Sequence, residues 1–351
     1  MATCKYFRPE IAAMSGYVPG EQPRMENLVK LNTNENPYPP SPKVGEALRN
    51  FAGDRLRLYP DPLANVLRDQ IAAHFGVRRD NVIIGNGSDD LLTMLFRAFT
   101  SPRLPLAMLD PSYSLYPELA AMQGARVIKL PLSEGDFSLP ENLLALAAEA
   151  NLLVITRPNA PTGTLFPKEK VADICRKFDG VVAIDEAYAD FAADNCVDLA
   201  AKLPNVVVLR TFSKSYSLAG LRLGYAIGDA ELISGLMKLK DSYNVDALAQ
   251  TLGAAAFADQ DYLCANCRRV IDERERVRKK LLDLGFSVPE SGANFLFVAP
   301  PDGDAQRRFE ALRRQAVIVR YFPGQVTGKY LRITIGTPAE NDRLLKLLEE
   351  L

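Results

Sequence analysis

A single histidine, His74, stands in this chain of 351 residues. It closes an amphipathic helical pattern, LRDQIAAHFG, where packing is the expected role, so the chemistry must run without histidine. Cysteine is sparse and odd in number: Cys4, Cys175, Cys196, Cys264 and Cys267. With no apolar signal segment after the opening MATCKYFRPE, these point to a reducing cytoplasm rather than a disulfide framework. Cys264 and Cys267 form a C-x-x-C, yet no second pair or nearby histidine completes a zinc site, and the CRRVIDERERVRKK that follows reads as helix. Incidental helix cysteines and no metal are the expectation. No stretch approaches the ~20 apolar residues of a membrane span. Neither sign of charge dominates: 42 Lys and Arg against 43 Asp and Glu leave a formal net charge of −1, so no overall field favours nucleic acid or an anionic membrane. Internal repeats and low-complexity tracts are lacking as well. The partners left are small molecules or a second copy of the chain.

What is present is apolar surface, 48% of residues, over a length greater than one ordinary domain, enough for a large core and a smaller one. Short β-rich runs, LPLAMLD, ARVIKLPL, LLVIT, VVAID, VVVLR and LGYAIG, alternate with helical patterns such as FPKEKVADICRKF. That rhythm predicts a mostly parallel sheet covered by helices on both faces. After about residue 245 long helical stretches lead into the strands ANFLFVA, AVIVRYF and YLRITIG, an α+β rhythm read as a second domain. The first thirty or so residues, with the loop-like SGYVPGEQP, read as an arm.

Ligands of such sheets gather at the carboxyl ends of the strands, and four loops there carry candidate chemistry. IIGNGSDDLL is a strand, a turn at Gly85 and Gly87, and a helix opening at Ser88 with Asp89 and Asp90, whose free N–H groups suit a phosphate. RPNAPTG offers Asn159 in a proline-rigid turn; VVAIDEAYADF ends a buried strand at Asp185 with Tyr188 three residues on. VVVLRTFSKSYSLAGLRLGY delivers Ser213, Lys214 and Arg222. A lysine held against apolar walls has a lowered pKa and supplies the free amine that attacks a carbonyl. Each feature has a structural alternative: Ser and Asp cap helices, and a lysine can sit on the surface. The combination weighs more. Pyridoxal 5′-phosphate demands a lysine, an aspartate for its pyridine nitrogen, donors to its ring hydroxyl and an anion site for its phosphate. Lys214, Asp185, Tyr188 with Asn159, and the Gly87–Ser88 turn with Ser213 and Arg222 match these in turn, and Tyr113 of DPSYSLYPE can cover a ring face.

The runs LNTNENPYPPSP, YPDP at Tyr59, GNGSDDLL, DPSYSLY, PNAPTG, DEAYADF, TFSKSYSLAGLRLGY, NFLFV, VRYF and LRITIGT resemble the histidinol-phosphate aminotransferase family, among the class I and II, fold-type-I pyridoxal-phosphate enzymes, over nearly the whole chain. NENP together with VRYF and LRITIGT is the more particular part. The resemblance implies an N-terminal arm over 1–30 packing on the small domain, a large cofactor-binding domain with a mostly parallel, seven-stranded-type sheet over 31–245, and a smaller α+β domain over 246–351. Lys214 would hold the cofactor covalently and shuttle the proton between substrate Cα and cofactor C4′, and Asp185 would pair with the ring nitrogen. Tyr188 and Asn159 would bond the ring oxygen and Tyr113 would stack on the ring. Ser88, Asp89, Ser213 and Arg222 would surround the phosphate. Tyr59 would arrive from the neighbouring subunit, which implies a homodimer. Arg332 and Arg320 would hold the anionic group of the amino donor or acceptor, with Tyr17 closing over it. One departure is visible: the family's PNNPTG reads PNAPTG here and follows Arg157, so Arg157 and Ala160 are expected to alter the rim of the site while Asn159 is retained.

Arg320 and Arg332 suit a phosphate or a carboxylate bidentately, with ordinary edge-strand arginines as the alternative. Histidinol phosphate carries a phosphate where an amino acid has its α-carboxylate, and glutamate must use the same arginines. The implied activity is exchange of an amino group between histidinol phosphate and 2-oxoglutarate in histidine biosynthesis, by ping-pong half-reactions through a pyridoxamine form. A transaminase of aromatic or other amino acids is the alternative on the same scaffold. A threonine-phosphate decarboxylase is a different reaction class, and a pyridoxal-binding regulator is the non-enzyme reading. The lack of a DNA-binding extension before the first motif counts against the last.

Overall fold

The computed structural model describes residues 6–17 and 19–351, so Cys4 lies outside the described residues. After a two-residue strand β1 (Val29–Lys30), seven further strands alternate with helices: β2 (Val82–Gly85), β3 (Leu106–Asp110), β4 (Val127–Pro131), β5 (Leu152–Thr156), β6 (Val181–Asp185), β7 (Val206–Thr211) and β8 (Gly224–Gly228). These seven form one sheet in the order β2-β8-β7-β6-β5-β3-β4. All pairings are parallel except those of β8, which runs against both β2 and β7.

The period of two along each strand builds two cores at once. On β6, Val182 and Ile184 face one hydrophobic cluster and Ala183 the other; on β5, Leu153 and Ile155 face the first, Leu152 and Val154 the second. Both faces are therefore covered, which is why these strands read as unbroken apolar runs. The helix Ser88–Phe99 covers one face with Leu91, Leu92, Met94, Leu95 and Phe96.

Beyond residue 245 come the helices Ala247–Phe257 and Gln260–Asp283, then β9 (Phe295–Val298), the helix Ala305–Arg314, β10 (Val317–Ile318), β11 (Arg320–Tyr321), β12 (Leu331–Thr334) and the helix Pro338–Glu349. Strands β11-β12-β9 make an antiparallel sheet, and β1 pairs in parallel with β10, stitching the start of the chain to its C-terminal part. Residues ahead of β1 touch both layers. Arg8 donates to Met122 O at 2.8 Å, beside the helix Leu115–Met122, whereas Glu21 pairs with Arg313 at 3.1 Å. Among the described residues no helix is long and apolar enough to cross a membrane, and no group of three or more His, Cys, Asp or Glu is placed to hold a metal ion.

Because β2, β3, β5, β6 and β7 run the same way, the loops that follow them open on one edge of the sheet. Every loop singled out from the sequence for its chemistry leaves that edge.

Candidate active site

The turn after β2 makes one end of the site. Gly87 takes φ 84°, a left-handed conformation open to glycine, and a Cβ there would stand 2.8 Å from Arg222 Nη2. Across from it, a Cβ on Gly224 would lie 2.6 Å from Ser88 N, so the start of β8 presses on the first turn of Ser88–Phe99. Arg222, itself left-handed at φ 52°, reaches Ser213 Oγ at 3.4 Å and Asp89 Oδ2 at 3.3 Å. A guanidinium, a serine hydroxyl and the free N–H groups of a helix start thus converge, a cradle for a phosphate.

The other end is built by the ends of β6 and β7. Asp185 is 4% exposed and accepts from Tyr116 Oη at 2.6 Å and from Ala187 N at 3.1 Å. Burial raises its carboxyl above the ordinary range against those donors. Among the described residues no cation pairs with it within 4.0 Å. Lys214, half-buried, donates to Thr33 O at 3.0 Å; burial, then the charge of Arg332, draws its ammonium down to about 8. Tyr188 lies close by, its ring 5.9 Å from Lys214 Nζ, and burial raises its phenol. Tyr113 sits edge-on to Tyr116 at 5.5 Å and to Tyr17 at 5.9 Å.

Arg332 and Arg320 stand directly opposite each other on β12 and β11. Arg332 Nη2 donates to Asn32 O at 2.8 Å, while its Nε is buried without a hydrogen-bond partner, and its guanidinium lies over Phe295 and Phe322 at 5.4 and 5.2 Å. A buried donor with nothing to donate to is a place for an anionic ligand.

Several candidates sit differently from the simple reading. Asn159 is fully buried, and its Nδ2 is engaged by Pro111 O at 3.1 Å and Thr162 Oγ1 at 2.9 Å, so as placed Tyr188 has the freer donor. Arg157 and Ala160 are not at a rim. Arg157 is fully buried and directs its guanidinium to Phe166 O at 2.7 Å and Asp194 at 2.5 Å, because the residue after β5 turns to the far side of the layer. Ala160 packs in a small cluster with Tyr188, Ala293 and Phe295. Tyr59 is 80% exposed and stacks on Tyr243 at 4.4 Å. His74 packs edge-on to Phe75 and Phe257 at 4.6 and 5.4 Å, an exposed histidine at the end of its helix whose pKa is lowered by partial desolvation. Cys264 is exposed and Cys267 buried on one helix, both free.

Sequence reasoning passed over Tyr116 and the run Asn32–Asn36. Tyr116 sits in the quoted DPSYSLYPE three residues after Tyr113, and helical spacing, which turns it inward beneath Asp185, was the available signal. Asn36 Nδ2 donates to the carbonyls of Lys214 and Ser215 at 3.2 and 3.3 Å, and Asn34 Nδ2 to Tyr188 Oη at 3.0 Å. The density of asparagine in LNTNENP was visible; its targets, some 150 to 180 positions away, were not.

Comparison with known proteins places this geometry. Residues 26–348 match the family Aminotransferase class I and II. A histidinol-phosphate aminotransferase of Syntrophotalea carbinolica is 46% identical over 349 residues, covering 98% of this chain and 99% of its own. Histidinol-phosphate aminotransferase 1 of Trichormus variabilis is 42% identical over 347 residues, covering 99% of each chain. Among solved structures, histidinol-phosphate aminotransferase from Sinorhizobium meliloti in complex with pyridoxal-5′-phosphate superposes with a TM-score of 0.91 at 27% identity, over 99% of this chain and 97% of that one.

Proposed function

The chain belongs to the class I and II aminotransferase family and, within it, to the histidinol-phosphate aminotransferase family, and from that premise we propose that it moves an amino group between histidinol phosphate and 2-oxoglutarate with pyridoxal 5′-phosphate as cofactor. One observation carries the reading: an amine whose pKa is drawn down to about 8 shares one edge of the sheet with a buried carboxylate that has no cation partner among the described residues. Those are the two groups a pyridine aldehyde requires. The fold-type-I architecture expected from the resemblance supports it as well.

When bound, the cofactor supplies an electron sink for charge that develops at the substrate Cα. The rest falls to side chains. Arg222, Ser213 and the helix start at Ser88 and Asp89 would anchor the phosphate; Asp185 would keep the ring nitrogen protonated; Tyr188 and Asn159 would serve the ring oxygen; Tyr113 would cover one face. Lys214 would be the residue that holds the cofactor and, as base and then acid, moves the substrate's Cα proton, a pair of tasks that a pKa near the working pH favours. Arg332, with Arg320 opposite, holds the phosphate of histidinol phosphate in one half-reaction and a glutamate carboxylate in the other, and Tyr17 closes over them. Two substrates that share the same arginines take turns, which gives a ping-pong order. Residues 31–245 act as the cofactor-binding domain, 246–351 as the smaller domain and 1–30 as the arm.

A half-reaction screen tests the substrate. Holoenzyme is mixed singly with histidinol phosphate, glutamate, phenylalanine and tyrosine while its visible absorbance is followed. Histidinol phosphate and glutamate should react with rate constants at least about tenfold above the aromatic amino acids, the discrimination within reach of one differently filled pocket. Faster conversion of phenylalanine or tyrosine would reassign the enzyme to aromatic amino acids, and CO₂ release without use of 2-oxoglutarate would make it a lyase.

The working form is a cytoplasmic homodimer in which Tyr59 enters the partner's phosphate cradle. Tyr59 lies in an exposed apolar patch with Leu56, Leu58, Leu63 and Val66, the kind of surface a partner covers, and the free cysteines suit a reducing compartment. Mixing Lys214→Ala subunits with Tyr59→Phe subunits decides the point. The hybrid site that keeps Lys214 then receives an intact Tyr59, and its activity per lysine should exceed that of the Tyr59→Phe homodimer; equal activity would place Tyr59 in its own chain's service or none.

A further inference from the structure

Three successive residues near the start of the chain touch three groups of the site. Asn32 O accepts from Arg332 Nη2 at 2.8 Å, Thr33 O accepts from Lys214 Nζ at 3.0 Å, and Asn34 Nδ2 donates to Tyr188 Oη at 3.0 Å. Asn34 is 1% exposed and left-handed at φ 55°, a conformation that asparagine tolerates better than most residues.

The remaining bonds of Asn34 decide which way its amide faces. Its backbone N–H, which can only donate, gives to Thr334 Oγ1 at 3.0 Å. The Thr334 hydroxyl, in a residue 2% exposed, keeps one hydrogen, and Asn34 Oδ1 receives it at 3.0 Å. The opposite orientation of the amide would leave that buried hydroxyl hydrogen without this acceptor. With Oδ1 committed, Nδ2 is the end that meets Tyr188, the phenol oxygen accepts, and its own hydrogen is turned elsewhere. The Asn34 carbonyl is held too, by Asn294 Nδ2 at 3.0 Å, so the residue is clamped from four sides.

We propose that Asn34 is a positioning residue: by donating to Tyr188 Oη it aims the phenol hydrogen at the ring oxygen of the bound cofactor, and through Thr334 it ties that aim to strand β12, which also carries Arg332. The inference rests on the cofactor reading above and is independent of which amino acid is the substrate. It makes Tyr188 a directed donor rather than a hydroxyl free to rotate. It also links Arg332 to Tyr188 through the backbone of Asn32–Asn34, since Arg332 donates to Asn32 O and Asn34 donates to Tyr188 Oη.

Asn34→Asp keeps the shape and removes the donor, so the phenol hydrogen turns toward the new carboxylate and away from the cofactor. Binding of pyridoxal phosphate to the apoprotein, followed by fluorescence, should weaken about tenfold, the loss expected for one hydrogen bond to a charged group. The visible absorbance titration of the holoprotein should move to higher pH, since a ring oxygen without its donor favours the protonated chromophore. In a Tyr188→Phe background the same substitution should change affinity by less than about twofold, because the two residues act through one bond. Wild-type affinity and midpoint in Asn34→Asp, or effects that add in full in the double variant as a bare charge effect would, overturn the proposal. Should Asn34→Asp fail to fold, Thr334→Val removes only the hydroxyl that orients the amide; weaker binding with a titration shifted the same way supports the proposal, and unchanged values overturn it. If the wild-type chain itself fails to bind pyridoxal phosphate, the cofactor reading falls together with this one; if it binds and the variants match it, this one falls alone.

Discussion

Asp185 and Glu186 are neighbours at the end of β6, both buried at 4% and 1% exposure, and strand geometry sends them to opposite sides. On one side Glu186 meets Arg210 at 2.8 Å and the N–H of Cys196, Arg210 also pairs with Asp190 at 2.5 Å, and Asp190 takes the hydroxyl of Ser215, next to Lys214. Both carboxylates there are paired with the one guanidinium. On the other side Asp185 has a phenol and an N–H but no cation among the described residues. A buried charge is tolerated when matched and is otherwise expensive, so the matched side is scaffold and the unmatched side is where a ligand completes the structure.

The comparison breaks most visibly at Lys214. Lys214→Ala should cut transamination by more than about 10⁴-fold, since the covalent link and the proton shuttle vanish together, while the cofactor still binds without a covalent bond. Borohydride reduction followed by peptide mapping checks it, and label on another lysine would refute the assignment. Covalent capture of the cofactor by the wild-type apoprotein should speed up with pH and level off above about 8, as the Lys214 amine is freed.

On the filled side, Arg210→Met strands two carboxylates and should lower stability by about 3–5 kcal/mol, read as a drop in the denaturation midpoint of the apoprotein. A loss near zero would mean that the network does not hold the fold together.

The smallest effect on folding, and of opposite sign, belongs to Asp185→Asn. Burial raises the folded pKa of Asp185 above 3.8, so the ionised form is disfavoured at neutral pH, and that penalty fades as pH falls through the folded pKa. The variant apoprotein should therefore unfold at a slightly higher temperature than wild type at pH 7, with the gap closing in acid. Its transamination should nevertheless fall by about 10²-fold or more, because an unprotonated pyridine accepts charge poorly. A variant both less stable and fully active would dissolve the contrast between the two sides.

Much of this was legible in local pattern. The apolar runs VVAID and VVVLR are buried strands because both faces of the sheet are covered, and the Gly87, Asp185 and Lys214 loops fall at strand ends because parallel strands leave their loops on one edge. Asp185 stood out as a charge closing an apolar run. Arg157 misled for the opposite reason: beside Asn159 it reads as part of the rim, yet its buried guanidinium turns to Asp194, a partner that no spacing reveals.

Residue type and order were enough to point to the strands, the glycine turn at Gly87–Ser88 and the lysine, since apolar period, turn chemistry and residue type are local, whereas Arg222 reaches Asp89 beside that turn from 133 positions away. The partners that give those groups their properties come from far away. Tyr116 reaches Asp185 across 69 positions, Asn34 reaches Tyr188 across 154, and Asn34 joins Thr334 across 300. A pKa or the direction of a hydroxyl is set by whatever lies within a few ångströms, and the neighbours at that distance are chosen by the folding of β1 onto β10 and of β12 beside Leu31, not by proximity along the chain.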